Sequence, residues 1–220
     1  MIKEFFEMKR WGLFVGTACS FFSPMTWTWL SLVAAIAAFI LVALGFVYWG
    51  FAGFLISALM DEIDGKVARV TYRATYLGGF TDGTIDRFVD FLMILCFFFL
   101  ELPEWGMDIK LMLFILLFAT LLPPFIVAYA NHRRAVPDPT EKVIWRFAFR
   151  IEYVVLFLAA LFFQPIQSDI SLVLLYIALV LNWATVIQSM ILTFIKAKNY
   201  DQRNEKASRE FHDSLKDVGH

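Results

Sequence analysis

Long runs without a charged side chain constrain this chain more than any other feature. Nothing between Trp27 and Gly50 carries a charge. That run exceeds the ~20 residues an α-helix needs to cross the hydrocarbon of a bilayer. Across the chain 60% of residues are hydrophobic and 18% aromatic, against roughly 45–50% apolar residues in a soluble domain. Lys3, Lys9 and Arg10 precede the apolar sequence, as they do in a signal peptide. The run that follows is too long for an h-region of roughly 7–15 residues, so it reads as a retained span.

The pattern predicts an all-α integral membrane protein with six transmembrane helices and a short N-terminal interfacial helix. Residues 2–13 form the interfacial helix, with Ile2, Phe5, Phe6 and Leu13 on one face. Ser23-Pro24 breaks the chain before span 1, about 25–48. Spans 2 to 6 follow at about 50–70, 80–100, 110–134, 143–163 and 170–195. Gly78-Gly79 reads as a turn, and Pro123-Pro124 as a kink in span 4. Residues 1–220 are expected to be one domain: an arm over 1–22, a bundle over 23–195 and a cytoplasmic tail over 196–220. There is no second domain, fixed-period repeat or low-complexity region. Cys19 and Cys96 lie in apolar surroundings and read as free packing thiols.

Six spans put both termini on one side. Lys and Arg concentrate in the N-terminal arm, in 66–73, in 133–150 and in the tail, while Lys110 alone falls in a loop on the other face. The termini therefore face the cytoplasm, and the protein is expected in the cell membrane as a multi-pass protein. Net charge is −1, so bulk charge gives no sign of a nucleic-acid partner and none is expected.

Carboxylates interrupt these apolar runs at a regular spacing. On a helix Asp61 and Asp64 sit about 60° apart, one turn along, and Asp82 and Asp86 about 40° apart. Two helical faces each present two carboxylates beside hydrocarbon, where a charge needs compensation. Four such groups close together repel and call for cations, and all-oxygen ligands suit hard ions such as Mg²⁺, Mn²⁺ or Ca²⁺. Gly65 and Ala68 clear one helix face for a ligand. Arg69 sets a fixed positive fork beyond Asp64, suited to phosphate oxygens. Metals, carboxylates and a guanidinium together make a diphosphate site, in which a remaining carboxylate takes a proton from an attacking hydroxyl. Glu62 points about 100° from Asp61 and stays outside this site. Asp90, one turn beyond Asp86, reads as a hydrogen-bonded interior carboxylate, and Arg87 as the partner of an acid on span 2.

The run Asp61-x2-Asp64-Gly65-x2-Ala68-Arg69-x8-Gly78-x3-Asp82-x3-Asp86 resembles the full motif of the CDP-alcohol phosphotransferase (CDP-alcohol phosphatidyltransferase) family. All eight fixed positions and their gaps match over 26 residues. Pro24-Met25-Thr26-Trp27-Thr28 is similar to the family's Pro-Asn-x-x-Thr element, with Met25 in place of Asn. The resemblance implies transfer of a phosphoalcohol from a CDP-alcohol to an acceptor hydroxyl, with release of CMP. It implies two divalent ions, Mg²⁺ or Mn²⁺, on Asp61, Asp64 and Asp82, with Asp86 a shared ligand or neighbour and the general base. It implies a nucleotide site lined by Asp61, Gly65, Ala68, Arg69, Gly78 and Thr28, a CDP-linked lipid as substrate, membrane lipid around the bundle and a homodimer. The residues by themselves point to metals and phosphate, not to cytidine.

The acceptor side is read from a second cluster. Tyr129, His132 and Arg133 share a face at the end of span 4, and Arg146 and Arg150 are one turn apart at the start of span 5. Much of this is the positive-inside rim. Arg150 lies within its span, where a guanidinium needs an anion. The layout resembles family members that use inositol phosphate, and Gly78 to Arg87 resembles archaeal members. Inositol phosphate is therefore the expected acceptor, with glycerol phosphate or another alcohol as alternatives. The lipid moiety, diacylglycerol or archaeol, stays open. An aspartate-rich prenyltransferase would need a different spacing. A divalent cation carrier is the rival of a different class, but it has no use for Arg69 beside the metal ligands.

Overall fold

The computed structural model describes residues 12–72, 75–133, 135 and 150–217. Among them a short helical segment, 12–18, precedes six α-helices. These are α1 (Pro24–Ala43), α2 (Val47–Val70), α3 (Tyr76–Cys96), α4 (Ile109–His132), α5 (Arg150–Phe163) and α6 (Ser168–Asp217). The described residues contain no strand; Trp105 and Met107 form an isolated bridge.

Among the described residues, three helices are long and apolar enough to cross a membrane: Pro24–Ala43, Ile109–His132 and the Ser168–Ser208 part of α6. The sequence led us to expect six such spans. α2 and α3 fall short because Asp61, Glu62, Asp64, Lys66 and Arg69 load the first, and Asp82, Asp86, Arg87 and Asp90 the second. Span 5 was expected from about 143, but residues 136–149 lie outside the described part and α5 begins at Arg150. Most of the expected interfacial helix over 2–13 also lies outside it.

Helix ends follow local chemistry. Pro24 takes the first turn of α1, where a missing N–H costs nothing, and Ser23 Oγ accepts the N–H of Thr26 at 3.2 Å. The α1–α2 turn is a Schellman motif: Phe46 N–H donates to Leu41 O at 2.8 Å and Gly45 N–H to Val42 O at 2.9 Å. Gly45 has φ +90, which a side chain would strain. Gly78-Gly79 is not the expected turn. It lies in the first turn of α3, where Thr75 Oγ1 caps the helix by accepting Gly78 N–H at 3.0 Å. Pro123 and Pro124 sit inside the continuous α4.

The chain divides into two compact units: residues 1–117 with 154–178, and residues 118–153 with 179–220. In the first, α1 packs against both α2 and α3. The α1–α2 crossing is close because glycines face it: a Cβ on Gly53 would lie 2.8 Å from Ala38 Cβ, and one on Gly50 3.0 Å from Ala38 O. Segment 12–18 rests on the end of α2, where a Cβ on Gly16 would meet Lys66 O at 2.8 Å. Phe54, Val67, Ile94, Phe97, Leu113 and Phe157 are fully buried in this unit. Cys96 is buried and, like Cys19, a free thiol. In the second unit Phe118 meets Trp183, and Arg133 lies 5.8 Å from the Tyr129 ring centroid.

Candidate active site

The site of the first unit is built where α1, α2 and α3 meet. Asp61 and Asp64 come from the second half of α2, one turn apart, and Asp82 from the second turn of α3. One carboxylate oxygen from each lies within 4.8 Å of the others. Two oxygens on opposite sides of a hard cation are about 4–5 Å apart, twice a metal–oxygen distance. The donor set therefore fits a divalent ion by both spacing and chemistry. Asp64 is buried, and Asp61 and Asp82 are half-buried. Three negative groups in so little water are costly without a counter-charge.

Asp64 is fixed from behind. Thr28 Oγ1, on α1, donates to Asp64 Oδ2 at 2.6 Å, and both residues are buried. The contact begins a chain of hydroxyls across the α1–α2 crossing. Ser31 Oγ donates to Thr28 O at 2.8 Å, and Ser57 Oγ to Ser31 O at 2.8 Å. Sequence reasoning grouped Thr28 with the nucleotide residues; in the structure its hydroxyl donates to Asp64, one of the three gathered carboxylates. The available signal was three hydroxyl residues, Thr28, Ser31 and Ser57, inside otherwise apolar helices.

The remaining motif residues extend the site along both helices. Gly65 has no side chain, and a Cβ there would come only within 4.0 Å of the Arg69 guanidinium. Arg69 is exposed, while Ala68 and Gly78 are half-buried. Asp86 lies one turn past Asp82 and is not in the group of three. Its Oδ2 is 3.7 Å from Arg87 Nη2. Arg87 also reaches Asp90 at 3.2 Å. It thus contacts two acids of its own helix. Asp90 is fully buried, as expected of an interior carboxylate. Glu62 faces away and pairs with Lys66 at 3.1 Å.

Of the acceptor-side residues, His132 and Arg133 are exposed at the end of α4, and Arg150 is half-buried at the start of α5. All three belong to the second unit. Arg146 lies outside the described residues.

A profile of the CDP-alcohol phosphatidyltransferase family matches residues 21–195. The chain belongs to that family. Its match to the archaetidylinositol phosphate synthase of Pyrococcus horikoshii is 27% identical and covers 60% of this chain and 63% of that protein. Its match to the bifunctional IPC transferase and DIPP synthase of Thermococcus kodakarensis is 36% identical over 36% of this chain and 17% of that one. The chain thus spans less than two thirds of the length of these relatives. The fold of this CDP-alcohol phosphatidyltransferase family member is similar to that of the Mycobacterium tuberculosis phosphatidylinositol phosphate synthase crystallised with CDP-DAG bound. The TM-score is 0.67 at 19% identity, covering 84% of this chain and 94% of the other. The same enzyme in complex with manganese and citrate gives a TM-score of 0.65 at 20% identity, covering 79% and 83%.

Proposed function

We propose that the protein transfers a phosphoalcohol, of the phosphatidyl or archaetidyl type, from a CDP-linked lipid to the hydroxyl of inositol phosphate, releasing CMP. The observation that carries this reading is the gathering of Asp61, Asp64 and Asp82 within 4.8 Å, in a chain that keeps every fixed residue of the family motif. Two divalent ions, Mg²⁺ or Mn²⁺, bound on these carboxylates and Asp86 would neutralise the diphosphate and polarise its phosphoryl oxygens. Manganese in one structural neighbour and CDP-DAG in another support the choice of ligands. The match to an archaetidylinositol phosphate synthase supports the acceptor.

The protein's own groups then divide the work. Arg69 takes the diphosphate oxygens, with Gly65, Ala68 and Gly78 giving the nucleotide close access to the backbone. Asp86 accepts the proton of the acceptor hydroxyl as its oxygen attacks the phosphorus that bears the lipid alcohol. The bond from that phosphorus to the bridging oxygen breaks, and CMP leaves with the electron pair. Arg150, with His132, Arg133 and Arg146, holds the phosphate of the acceptor. All six helices cross the membrane in this reading, with the site and both termini in the cytoplasm, and the protein works as a homodimer.

The test is CMP release by the full chain in nanodiscs. CDP-diacylglycerol and CDP-archaeol are each offered with inositol phosphate, glycerol phosphate, serine or inositol. Release is expected with inositol phosphate, dependent on Mg²⁺ or Mn²⁺ and abolished by EDTA. Cation flux into liposomes without nucleotide, together with no CMP from any pair, would replace this reading with a carrier.

A further inference from the structure

The hydroxyl proton of Thr28 has two acceptors in reach. Asp64 Oδ2, on α2, lies at 2.6 Å, and Pro24 O, on the same helix as Thr28, at 3.2 Å. A hydroxyl has one proton to give, and the carbonyl four residues back is its usual fallback in a helix. The Pro24 carbonyl travels with Thr28, whereas Asp64 depends on where α1 lies against α2. A retreat of α1 by roughly half an ångström would make the two acceptors equivalent, and Asp64 would share its donor. The set of the α1–α2 crossing therefore decides how firmly this carboxylate is held.

Much of that crossing gives closeness without direction. Ala35, Ala38 and Val42 of α1 are buried, and Gly50 and Gly53 of α2 approach Ala38. Contacts between small apolar groups are individually weak and non-directional, so between membrane helices a hydrogen bond adds what they lack. Ser57 of α2 supplies one: its Oγ donates to Ser31 O of α1 at 2.8 Å. Ser57 precedes Asp64 by two turns on nearly the same face of α2, and Ser31 follows Thr28 by one turn of α1. Ser31 Oγ in turn donates to Thr28 O at 2.8 Å. The residue that receives a bond from α2 is thus braced against the residue that gives one back. Ser57 is 1% exposed and Ser31 0%, so water does not stand in for this bond. About 10 Å along α2 from Asp64, Ser57 is too far away to ligate the same ion.

We propose that Ser57 is a positioning residue for the candidate metal site: its bond to Ser31 O holds α1 where the Thr28 proton goes to Asp64 rather than back to Pro24. The inference rests on the reading of the three gathered carboxylates as the ion site. Ser31 and Ser57 lie outside the eight fixed residues of the motif and outside the Pro24–Thr28 element.

The experiment is Mn²⁺ titration of the full chain in nanodiscs of zwitterionic lipid, with free ion followed by EPR. Ser57→Ala is expected to weaken Mn²⁺ affinity by roughly 2- to 10-fold, the range that one neutral hydrogen bond supports. In the Thr28→Val background the same change is expected to have no further effect, because the proton it steers is gone. Ser57→Thr, which keeps the hydroxyl, is expected to bind within about twofold of wild type. Wild-type affinity in Ser57→Ala overturns the proposal. A loss of equal size with and without the Thr28 hydroxyl also overturns it, since that is a general loosening of the crossing. If Ser57→Ala does not fold, Ser57→Cys decides, because a thiol is a weaker donor of similar size. A severalfold loss of affinity there supports the proposal, and wild-type affinity overturns it. Asp64→Asn is run alongside. Should it bind Mn²⁺ as wild type does, the ion-site reading fails and takes this inference with it. Should it lose Mn²⁺ while Ser57→Ala keeps wild-type affinity, only this inference falls.

Discussion

Replacing Thr28 by valine tests the hydroxyl that backs the candidate metal site. Valine keeps the shape of threonine and removes only the hydroxyl that donates to Asp64 Oδ2 at 2.6 Å. A hydrogen bond to a charged group contributes about 1.5–3 kcal/mol. Asp64 is 5% exposed and Thr28 4%, so water does not readily replace the lost donor. At about 1.4 kcal/mol per factor of ten, the full loss is roughly 10- to 150-fold in an equilibrium constant. It is expected in ion affinity, because removing a group that orients a metal ligand typically costs about 10–100-fold. Mn²⁺ titration of the full-length protein, following free ion by EPR, should show Thr28→Val weakened by that factor. Thr28→Ser, which keeps the donor, should stay within about threefold. Unchanged affinity in Thr28→Val refutes the reasoning. Tighter binding refutes it more sharply, since the hydroxyl would then be competing with the ion for Oδ2.

Asp86→Asn is expected to abolish CMP release while metal-dependent CDP binding persists within a few-fold; turnover near the original rate would remove Asp86 as the base. Arg150→Ala should raise KM for inositol phosphate by about 10-fold or more, as loss of a charge-assisted bond does, and leave KM for the CDP-lipid unchanged; equal effects on both would exclude Arg150 from the acceptor pocket. Gly53→Val places a Cβ 2.8 Å from Ala38 Cβ and should destabilise the α1–α2 crossing by about 1–3 kcal/mol. A thermal melt checks this, and an unchanged midpoint would show that the crossing relaxes freely.

The acidic pairs were legible because helical periodicity acts on sequence directly. Asp61 and Asp64, three apart, share a face on any helix. That Asp82 of α3 joins them is a tertiary fact, anticipated by the recurrence of acids in two neighbouring apolar runs and by the resemblance to a family motif. The same limit explains Thr28. Its spacing to Pro24 placed it on α1, but nothing local says that a residue 36 positions earlier in the chain will donate to Asp64. Gly78-Gly79 looked like a turn because glycine is common in turns. The cap by Thr75 starts the helix earlier and takes both glycines into it. Span counting by hydropathy met the converse difficulty, since α2 and α3, which hold the acids of the motif, carry too many charges to count as spans.

The three-residue connection through Gly45 also bears on how the chain enters the bilayer. α1 is apolar throughout and can partition alone, whereas α2 brings Asp61, Glu62, Asp64, Lys66 and Arg69 in its second half. On the six-span reading proposed above, so short a link brings α2 in as the second arm of a hairpin, its Asp64 already met by a hydroxyl of the first arm. Damage at Gly45 would therefore appear during biogenesis, as protein left outside the membrane, before any effect on catalysis could be measured.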